Sequence, residues 1–415
     1  MKNCQLLSTP MTVGAKTIPN RVVLQPMEGC DSAEDGTPSE LTIAKYMNAA
    51  RSGVGIIWFE ACAVCPEGRT NERQMMLTKE NILSFKSLLS EMRNIAKKEC
   101  GIEPIFILQL THSGRQSIVP MIAYRHPIYE EKRPVTDDNI VTDEYLDTLA
   151  EKYVASALLA HEAGFDSVEV HAGHGYLISQ FLSPWTNRRR DEFGGSLENR
   201  MRFMKMCLTE VMEAAAKCNM AVLVKHNMED GFKSGIQIPE SIEIAKEIEK
   251  FGVNGIVLSS GFVSRAPMAV MRGRIPTKTM GYYMGWNEWL QKIVVSLFGQ
   301  WMIKDYDFEE CFFLENAKKF RAELKGPLVY VGGLVSREGI EKVLDEGFEM
   351  VQMARALIND PEFINKLREG DFTTRAGCDH RDYCIARMYS DKMMCCHNCK
   401  EHIPERLWKE LRKIK

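Results

Sequence analysis

Two histidines and a tyrosine fall within six residues of the chain, at His171, His174 and Tyr176. Histidines three residues apart on one loop can direct both rings at a single ligand atom, and imidazole N–H groups polarise a carbonyl oxygen. A neighbouring phenol can deliver a proton to the same ligand. The group therefore predicts a site that activates a carbonyl compound. Two other interpretations stay open from the residues alone: a pair of zinc ligands, or histidines packed and hydrogen-bonded in the core.

A second group of residues suits a phosphate. Gly332 and Gly333 end one apolar run, and Arg355 ends the next run along the chain. Bare glycine backbone lets N–H groups approach phosphate oxygens, and a guanidinium can bind two of those oxygens at once. An ordinary strand-to-helix turn beside a surface arginine would give the same pattern.

The elements that would position both groups are eight short apolar runs separated by longer amphipathic segments. Most runs are continuous rather than alternating, which is typical of parallel strands covered on their outer side. Eight strand–helix units predict an α/β fold, the (β/α)8 TIM barrel, whose functional residues lie at the C-terminal ends of the strands. A doubly wound open sheet is the alternative, but no GxGxxG follows any run to support it. The predicted strands cover residues 21–27, 55–64, 105–110, 167–173, 221–227, 255–261, 328–334 and 350–356.

One connection is too long to be a simple loop. Residues 262–327, between the sixth and seventh predicted strands, contain helical patterns of their own. Such an insertion either caps the site or forms an oligomer surface, and the sequence favours neither. We expect the barrel to occupy residues 1–372, with 262–327 as the inserted helical segment. Residues 373–415 would then form a Cys-rich C-terminal tail.

The segment HAGHGYLISQFLSPWTNRRRDEFGGSLENRMRF, at 171–203, resembles the long signature of the old yellow enzyme (NADH:flavin oxidoreductase) family. The resemblance covers roughly residues 5–370 and is nearest to the 2,4-dienoyl-CoA reductase and bile-acid reductase branch. Further matching segments occur in the family's order at 19–27, 59–69, 109–116, 331–334 and 352–360.

The resemblance implies an enzyme that binds FMN and transfers a hydride from it to the β-carbon of an α,β-unsaturated carbonyl compound. It implies that His171 and His174 bind the carbonyl oxygen, that Tyr176 protonates the α-carbon, and that NAD(P)H is the reductant. The substrate stays open among enones, including steroids and bile acids, and enoyl-thioesters. The residues implied at the cofactor are Pro26, Met27, Glu28, Ala61, Gln109 and Lys225 at the ring, and Gly332, Gly333, Ala354 and Arg355 at the phosphate.

The chain departs from the family pattern at three of these positions. Lys225 stands where the family usually has arginine, so the charge is kept but the planar fork is lost. Glu28 stands near the flavin carbonyl, where relatives carry Cys, Thr, Ala or His, and its protonation is open. Ala354 replaces a glycine before the phosphate arginine, and its N–H group is retained.

Five cysteines lie in the C-terminal tail. The related branch carries a motif C-x2-C-x3-C-x11-C that holds a [4Fe–4S] cluster, but Arg381 stands at its second cysteine position here. The resemblance implies a cluster held by Cys378, Cys384, Cys396 and, in place of the missing ligand, Cys399, with Cys395, His380 and His397 as the other candidates for that place. Four thiolates are the usual requirement. A zinc site and a tail without metal both remain open.

Composition narrows the partners. A net charge of −3, without a polybasic segment, predicts neither nucleic-acid nor anionic-lipid binding. No apolar run is long enough to predict a membrane span or a signal peptide, so we expect a cytoplasmic protein. The FAD and NAD(P)H domains of multidomain relatives are not found in these 415 residues. We therefore expect direct reduction by NAD(P)H or a separate electron-donor protein, and homo-oligomer formation is left open.

Three other functions compete with the ene-reductase. Lys225 would act as a Schiff-base nucleophile in a lyase or aldolase barrel. His171 and His174 would bind zinc in a hydrolase. A redox-sensing flavin and iron–sulfur barrel would signal to a partner through its cysteine tail without turnover.

Overall fold

Eight parallel strands close into a barrel in the computed structural model, which describes residues 9–125, 135–285, 289–387, 390, 394–398 and 400–414. Each strand pairs with its neighbours along the chain, and the last strand closes onto the first. The predicted (β/α)8 barrel and its eight strands are confirmed. The barrel strands are β3 Val22–Leu24, β4 Ile56–Ala63, β5 Ile105–Thr111, β6 Ser167–Ala172, β7 Ala221–Asn227, β8 Gly255–Ser259, β9 Leu328–Val331 and β10 Met350–Met353.

The barrel interior changes from apolar to polar along the strands. At the N-terminal end, buried side chains from seven of the barrel strands form one cluster, which includes Ile105, Ile107 and Leu223. A short hairpin, β1 Met11–Val13 and β2 Lys16–Ile18, adds Val13 and Ile18 to this cluster. Burial of these apolar side chains stabilises the closed end. The functional residues are therefore expected at the C-terminal end of the barrel.

Helices cover the outside of the barrel between successive strands. Ser196 begins α5 by accepting a hydrogen bond from the Asn199 N–H, and Ser336 does the same for α11 through Gly339. The helices are α1 Glu40–Ala50, α2 Ile82–Ile95, α3 Asp143–Ala163, α4 Leu177–Leu182, α5 Leu197–Lys217, α6 Ile238–Lys250, α7 Pro267–Met271, α8 Thr277–Tyr283, α9 Trp289–Met302, α10 Leu314–Glu323, α11 Arg337–Asp345, α12 Arg355–Asn359, α13 Phe363–Arg368, α14 Tyr383–Ala386 and α15 Glu405–Leu411. Among the described residues, no helix combines the length and the apolar character needed to cross a bilayer.

The segment 262–327 and the C-terminal tail pack against each other. Helices α7, α8 and α9 lie in the insertion, whereas α10 packs on α6 and β9 as a barrel helix does. The carboxylate of Glu410, in α15, accepts hydrogen bonds from the N–H groups of Lys278 and Thr279 at the start of α8. The hydroxyls of Tyr283 and Tyr383 are 2.9 Å apart. These contacts tie the tail to the insertion.

Candidate active site

The two histidines of the sequence motif face each other at the C-terminal end of β6. Nε2 of His171 lies 3.1 Å from Nδ1 of His174, and the ring centroids are 5.1 Å apart. His171, the second-last residue of β6, has 3% of its surface exposed, and His174 lies in a left-handed conformation with φ of 60°. That backbone turn directs the second ring back toward the first. An oxygen placed beside this pair is within reach of both nitrogens.

Two hydroxyls set the tautomers of this pair. The Thr111 hydroxyl, on β5, lies 3.4 Å from Nδ1 of His171, and the Ser259 hydroxyl, on β8, lies 2.7 Å from Nε2 of His174. The 3.1 Å contact between the rings is a hydrogen bond when one of the two facing nitrogens carries a proton and the other accepts it. If each hydroxyl donates to its ring, both facing nitrogens carry protons instead, and a carbonyl oxygen beside the pair would accept a hydrogen bond from each. Neither hydroxyl was singled out from the sequence.

Both imidazoles are neutral at physiological pH. Burial lowers the pKa of His174 to about 3, and the nearby Lys225 ammonium lowers it further. Burial also lowers the pKa of His171, with contributions from His174 and Lys225. A neutral ring is costly to protonate here because the charged form would lose its hydration. The pair therefore acts as a hydrogen-bond donor and not as an acid.

Removing the Ser259 hydroxyl tests the tautomer assignment. We expect Ser259→Ala to weaken binding of a phenol, which mimics an enolate, by about fivefold, the equivalent of one hydrogen bond of ~1 kcal/mol. The change is read as the dissociation constant in a spectral titration. Ser260→Ala is the matched control, since the Ser260 hydroxyl is also buried but has no hydrogen-bond partner. Equal effects of the two substitutions would contradict the assignment.

Tyr176 stands beside this pair, at the residue before α4. Its ring centroid is 4.8 Å from that of His171, in an edge-to-face arrangement. Burial raises the pKa of the phenol, and the acidic groups of Glu28 and Cys30 raise it further. The phenol is therefore protonated at neutral pH and holds a proton that it can donate.

Glu28 follows β3, at the same C-terminal end of the barrel as the histidine pair. Its Oε1 accepts from the Cys30 thiol at 3.6 Å and from the Asn71 amide at 3.4 Å. Burial raises its pKa to about 8, and repulsion from Glu60 adds to the shift. Glu28 is thus a neutral carboxylic acid at pH 7, which gives the protonation state that the sequence left open. Of the neighbouring positions predicted to line the ring, Pro26 follows β3 and is buried.

A buried polar layer forms the floor of the site, below His171. The Lys225 ammonium lies 3.8 Å from the Glu169 carboxylate, which also accepts from the Gln109 amide. Burial lowers the pKa of Lys225 and raises that of Glu169, and each shift is opposed by the attraction of the other group. Ala61 lies next to Gln109, where the pairing of β4 and β5 shifts register. The floor is the polar end of the interior that the fold leaves open.

Two polar atoms of this floor have no hydrogen-bond partner among the described residues. They are the two side-chain amide atoms of Gln352 on β10, whereas the second Glu169 oxygen faces Lys225 and the indole N–H of Trp58 acts on the Glu169 carboxylate. Buried polar atoms are rarely left unpaired unless a ligand satisfies them. These atoms, with Lys225 and Gln109, fit the donor and acceptor edge of a flavin ring. Glu169, Trp58 and Gln352 were missed from the sequence because a single polar residue inside an apolar run carries no local signal.

The residues predicted to bind the FMN phosphate include a glycine turn and an arginine that is already paired within the protein. Gly332 and Gly333 have φ of 153° and 74°, and a side chain on Gly333 would collide with Phe312 at 2.6 Å. One Arg355 amino group pairs with Asp382 of the tail, and the other donates to the Met271 carbonyl. Arg355 is therefore largely buried rather than on the surface. A phosphate at this turn would have to share Arg355 with Asp382.

Removing the charge of Asp382 should strengthen FMN binding. Without the competing carboxylate, the Arg355 guanidinium is unpaired until a phosphate arrives, so we expect Asp382→Asn to lower the FMN dissociation constant at least fivefold, about 1 kcal/mol. Fluorescence titration of the apoprotein measures it. Asp379→Asn is the control, because Asp379 pairs with Arg381 and His397 instead. Weaker FMN binding in the Asp382 variant alone would show that the pair supports the phosphate.

Among the described residues of the tail, the thiols of Cys378, Cys384 and Cys395 lie close enough to act on one another electrostatically, and Cys395 hydrogen-bonds Cys396. The one group of three metal-ligand side chains found there consists of Asp379, Cys396 and His397. Cys378 and Cys384 are outside that group, although both lie close enough to Arg355 for its charge to act against burial, which raises the pKa of each thiol. Cys399 lies outside the described residues. The predicted cluster on Cys378, Cys384, Cys396 and Cys399 therefore stays a prediction.

Residues 6–280 match the family described as NADH:flavin oxidoreductase / NADH oxidase. The chain belongs to this family. It is 30% identical over 386 residues to a 4,4'-dithiodibutanoate disulfide reductase of Rhodococcus erythropolis, covering 92% of each chain. Membership makes the protein a flavin-dependent oxidoreductase of the NADH-linked type, and it decides against the lyase and hydrolase interpretations.

Solved structures share the family's barrel. An old yellow enzyme homologue from Zymomonas mobilis superposes with a TM-score of 0.64 at 22% identity, covering 88% of this chain and 92% of its own. A 2-naphthoyl-CoA reductase complex superposes with a TM-score of 0.75 at 21% identity, covering 98% of this chain. This chain spans 58% of that reductase. At these identities the likeness shows the fold.

Proposed function

We propose that the protein is an FMN-dependent ene-reductase that acts on an α,β-unsaturated carbonyl compound. The observation that carries the proposal is the hydrogen-bonded row Thr111–His171–His174–Ser259, with Tyr176 packed against it. When bound, FMN would supply the hydride that the β-carbon receives. The floor residues Gln109, Lys225 and Glu169 would hold the ring, with Pro26, Met27, Glu28 and Ala61 around it. Gly332, Gly333, Ala354 and Arg355 would hold the phosphate.

The histidine pair would bind and polarise the substrate. Negative charge develops on the carbonyl oxygen as the β-carbon is reduced, and two fixed N–H donors stabilise that charge. Because both rings are neutral and buried, they need no reorganisation at the moment of reaction. Tyr176 would then donate its proton to the α-carbon. The site thus separates the oxygen-binding role from the proton-donating role.

The acceptor is an enone or an enoyl-thioester in this proposal. The old yellow enzyme resemblance supports the enone, and the overall likeness to 2-naphthoyl-CoA reductase supports the thioester. The relative from Rhodococcus erythropolis is a disulfide reductase by name. A disulfide is therefore the alternative electron acceptor to compare with the unsaturated carbonyl compounds. NADH or NADPH would be the reductant. An electron-donor protein and an iron–sulfur tail stay predictions, and no step above depends on them.

Anaerobic turnover with FMN-loaded protein tests the proposal. NADH or NADPH should bleach the flavin, and 2-cyclohexenone or an enoyl-thioester should restore its colour with one saturated product per NAD(P)H. The disulfide 4,4'-dithiodibutanoate is offered in parallel. Restoration by the disulfide alone would reject the ene-reductase and keep the flavin enzyme. Borohydride trapping of a carbonyl compound on Lys225 would support the lyase chemistry that we reject.

Glu28 gives the reaction a pH dependence. With a pKa of about 8, its carboxyl is neutral at pH 7 and ionised at pH 9. The resulting carboxylate opposes proton release from Tyr176, so alkene reduction should fall by about tenfold over this range, the equivalent of one pKa unit. Glu28→Gln should make the rate nearly flat. Stopped-flow rates of alkene reduction from pH 6 to 9 measure it, and an unchanged decline in the variant would contradict the role of Glu28.

A further inference from the structure

Helix α9 of the insertion carries a wide apolar face that is exposed to solvent in the part of the chain that the structure describes. Trp301 is 88% exposed and Leu297 is 70% exposed. Large apolar side chains are common singly on a surface, but a continuous set of them marks an interaction site. The exposed large apolar residues of α9 are Trp289, Leu290, Ile293, Val294, Leu297, Phe298 and Trp301.

The other side of α9 packs against the insertion and the tail. Val295 packs into the cluster that α7 and α8 form with Ala386 and Ile385 of the tail. Gly299 lies so close to α8 that a side chain at position 299 would come within 2.8 Å of the Thr277 side chain. Helix α9 is therefore fixed on α8 through one side, and its exposed face points away from the chain. The exposed face is not the result of a loosely attached helix.

The size of this face matches half of a stable protein–protein interface. Aromatic side chains bury about 150–250 Å² each and the aliphatic ones somewhat less, so the face offers roughly 800 Å² at the observed exposures. A standard-size interface also buries about 800 Å² on each partner. Tyr282 of α8, 38% exposed, extends the same surface at its edge.

The charge of α9 argues against a lipid surface. Helices that lie in the membrane interface carry several Lys or Arg residues on their polar side. Among the fourteen residues of α9 the single charged one is Lys292. The chain as a whole has a net charge of −3, which anionic lipids would repel. A protein surface that is equally apolar is the better match.

The spacing of the face suits a second copy of the same helix. Leu290, Val294, Leu297 and Trp301 follow one another at intervals of four, three and four, which is the seam of a coiled coil. In an antiparallel pair related by a twofold axis, Leu290 meets Trp301 and Val294 meets Leu297. Each contact joins a smaller side chain to a larger one, so the face is complementary to itself, as an isologous interface requires.

We propose that two copies of this chain associate through α9, with the helices antiparallel about a twofold axis. The α8–α9 pairs of the two copies would then form a four-helix arrangement. This surface lies on the inserted segment, and the proposal does not depend on the ene-reductase chemistry.

Sedimentation of the FMN-loaded full chain at micromolar concentration tests the proposal. We expect a species of about twice the chain mass of 47.3 kDa. The double variant Leu297→Glu with Trp301→Glu should raise the dimer dissociation constant at least 100-fold and sediment as a monomer. Leu83→Glu is the matched control, because Leu83 is a 72% exposed leucine on α2 and should leave the dimer intact. Flavin absorbance and circular dichroism show that each variant is folded.

Three outcomes would overturn the proposal. One is a wild-type chain that stays monomeric at these concentrations. Another is a folded double variant that dimerises as tightly as the wild type. The third is a monomeric wild type that co-sediments with vesicles of phosphatidylglycerol and phosphatidylcholine, while the double variant does not. That result would assign the face to a lipid surface. If the double variant does not fold, Leu297→Glu alone replaces it, with the same expected result.

Discussion

Replacing Tyr176 with phenylalanine is expected to slow alkene reduction by roughly 10²–10⁴-fold while flavin reduction by NAD(P)H keeps its rate. The phenol of Tyr176 packs edge-on against His171, and its raised pKa keeps it protonated. Phenylalanine preserves the ring contact and removes the proton. The loss should therefore fall on the half-reaction in which the α-carbon is protonated. Anaerobic stopped-flow measurements of the two half-reactions separate the two effects.

A second tyrosine provides the control for this substitution. Tyr283, in α8, shares a hydrogen bond with Tyr383 of the tail, and its ring packs against the rings of Tyr282 and Tyr383. Tyr283→Phe should leave both half-reactions unchanged. If Tyr176→Phe slowed flavin reduction and alkene reduction equally, its role would be in the packing of the site and not in proton donation.

Replacing His171 and His174 together with alanine is expected to lower the rate of alkene reduction by at least 10²–10³-fold, the typical cost of losing an oxyanion donor. The same variant should lose most of its affinity for phenols. Both effects follow from the removal of the two facing imidazole nitrogens, which are 3.1 Å from each other in the structure. Spectral titration with a phenol and stopped-flow rates with an enone measure them.

The control is a histidine that is equally buried but faces elsewhere. His226, on β7, hydrogen-bonds the Ser241 hydroxyl at 2.7 Å and takes no part in the pair. A folded His226→Ala holoprotein should keep its phenol affinity. Phenol affinity that survives the loss of both His171 and His174 would remove the pair from the oxygen-binding role.

The fold was predictable because its strands are buried on both faces. Runs such as Ile105–Thr111 and Ala221–Asn227 are fully buried, and a continuous apolar run of that length is typical of a barrel strand. The residues at which the strands end were less predictable. The seventh predicted strand, which is β9 in the structure, was expected to reach residue 334. It ends at Val331 because Gly332 and Gly333 leave the extended conformation.

The site was predictable where its residues share one segment. His171, His174 and Tyr176 fall within one segment of six residues, so local geometry brings them together. Thr111 and Ser259 reach the same site from β5 and β8, and a hydroxyl at a strand end has no signal until the barrel closes. The same holds for the Asp382–Arg355 pair, which joins the tail to the end of β10 across 27 residues. Long-range polar pairs depend on tertiary contacts that a residue pattern does not contain.

Anaerobic turnover of 2-cyclohexenone with unlabelled NAD(P)H in D₂O tests the central claim most directly. The claim is that the proton reaches the α-carbon from an exchangeable group of the protein, while the hydride at the β-carbon comes from the reductant. The saturated ketone is analysed early by NMR, and cyclohexanone in the same buffer corrects for exchange at the carbons next to the carbonyl. We expect one deuterium at the α-carbon. A saturated ketone without deuterium at the α-carbon, or no saturated ketone at all, would contradict the account.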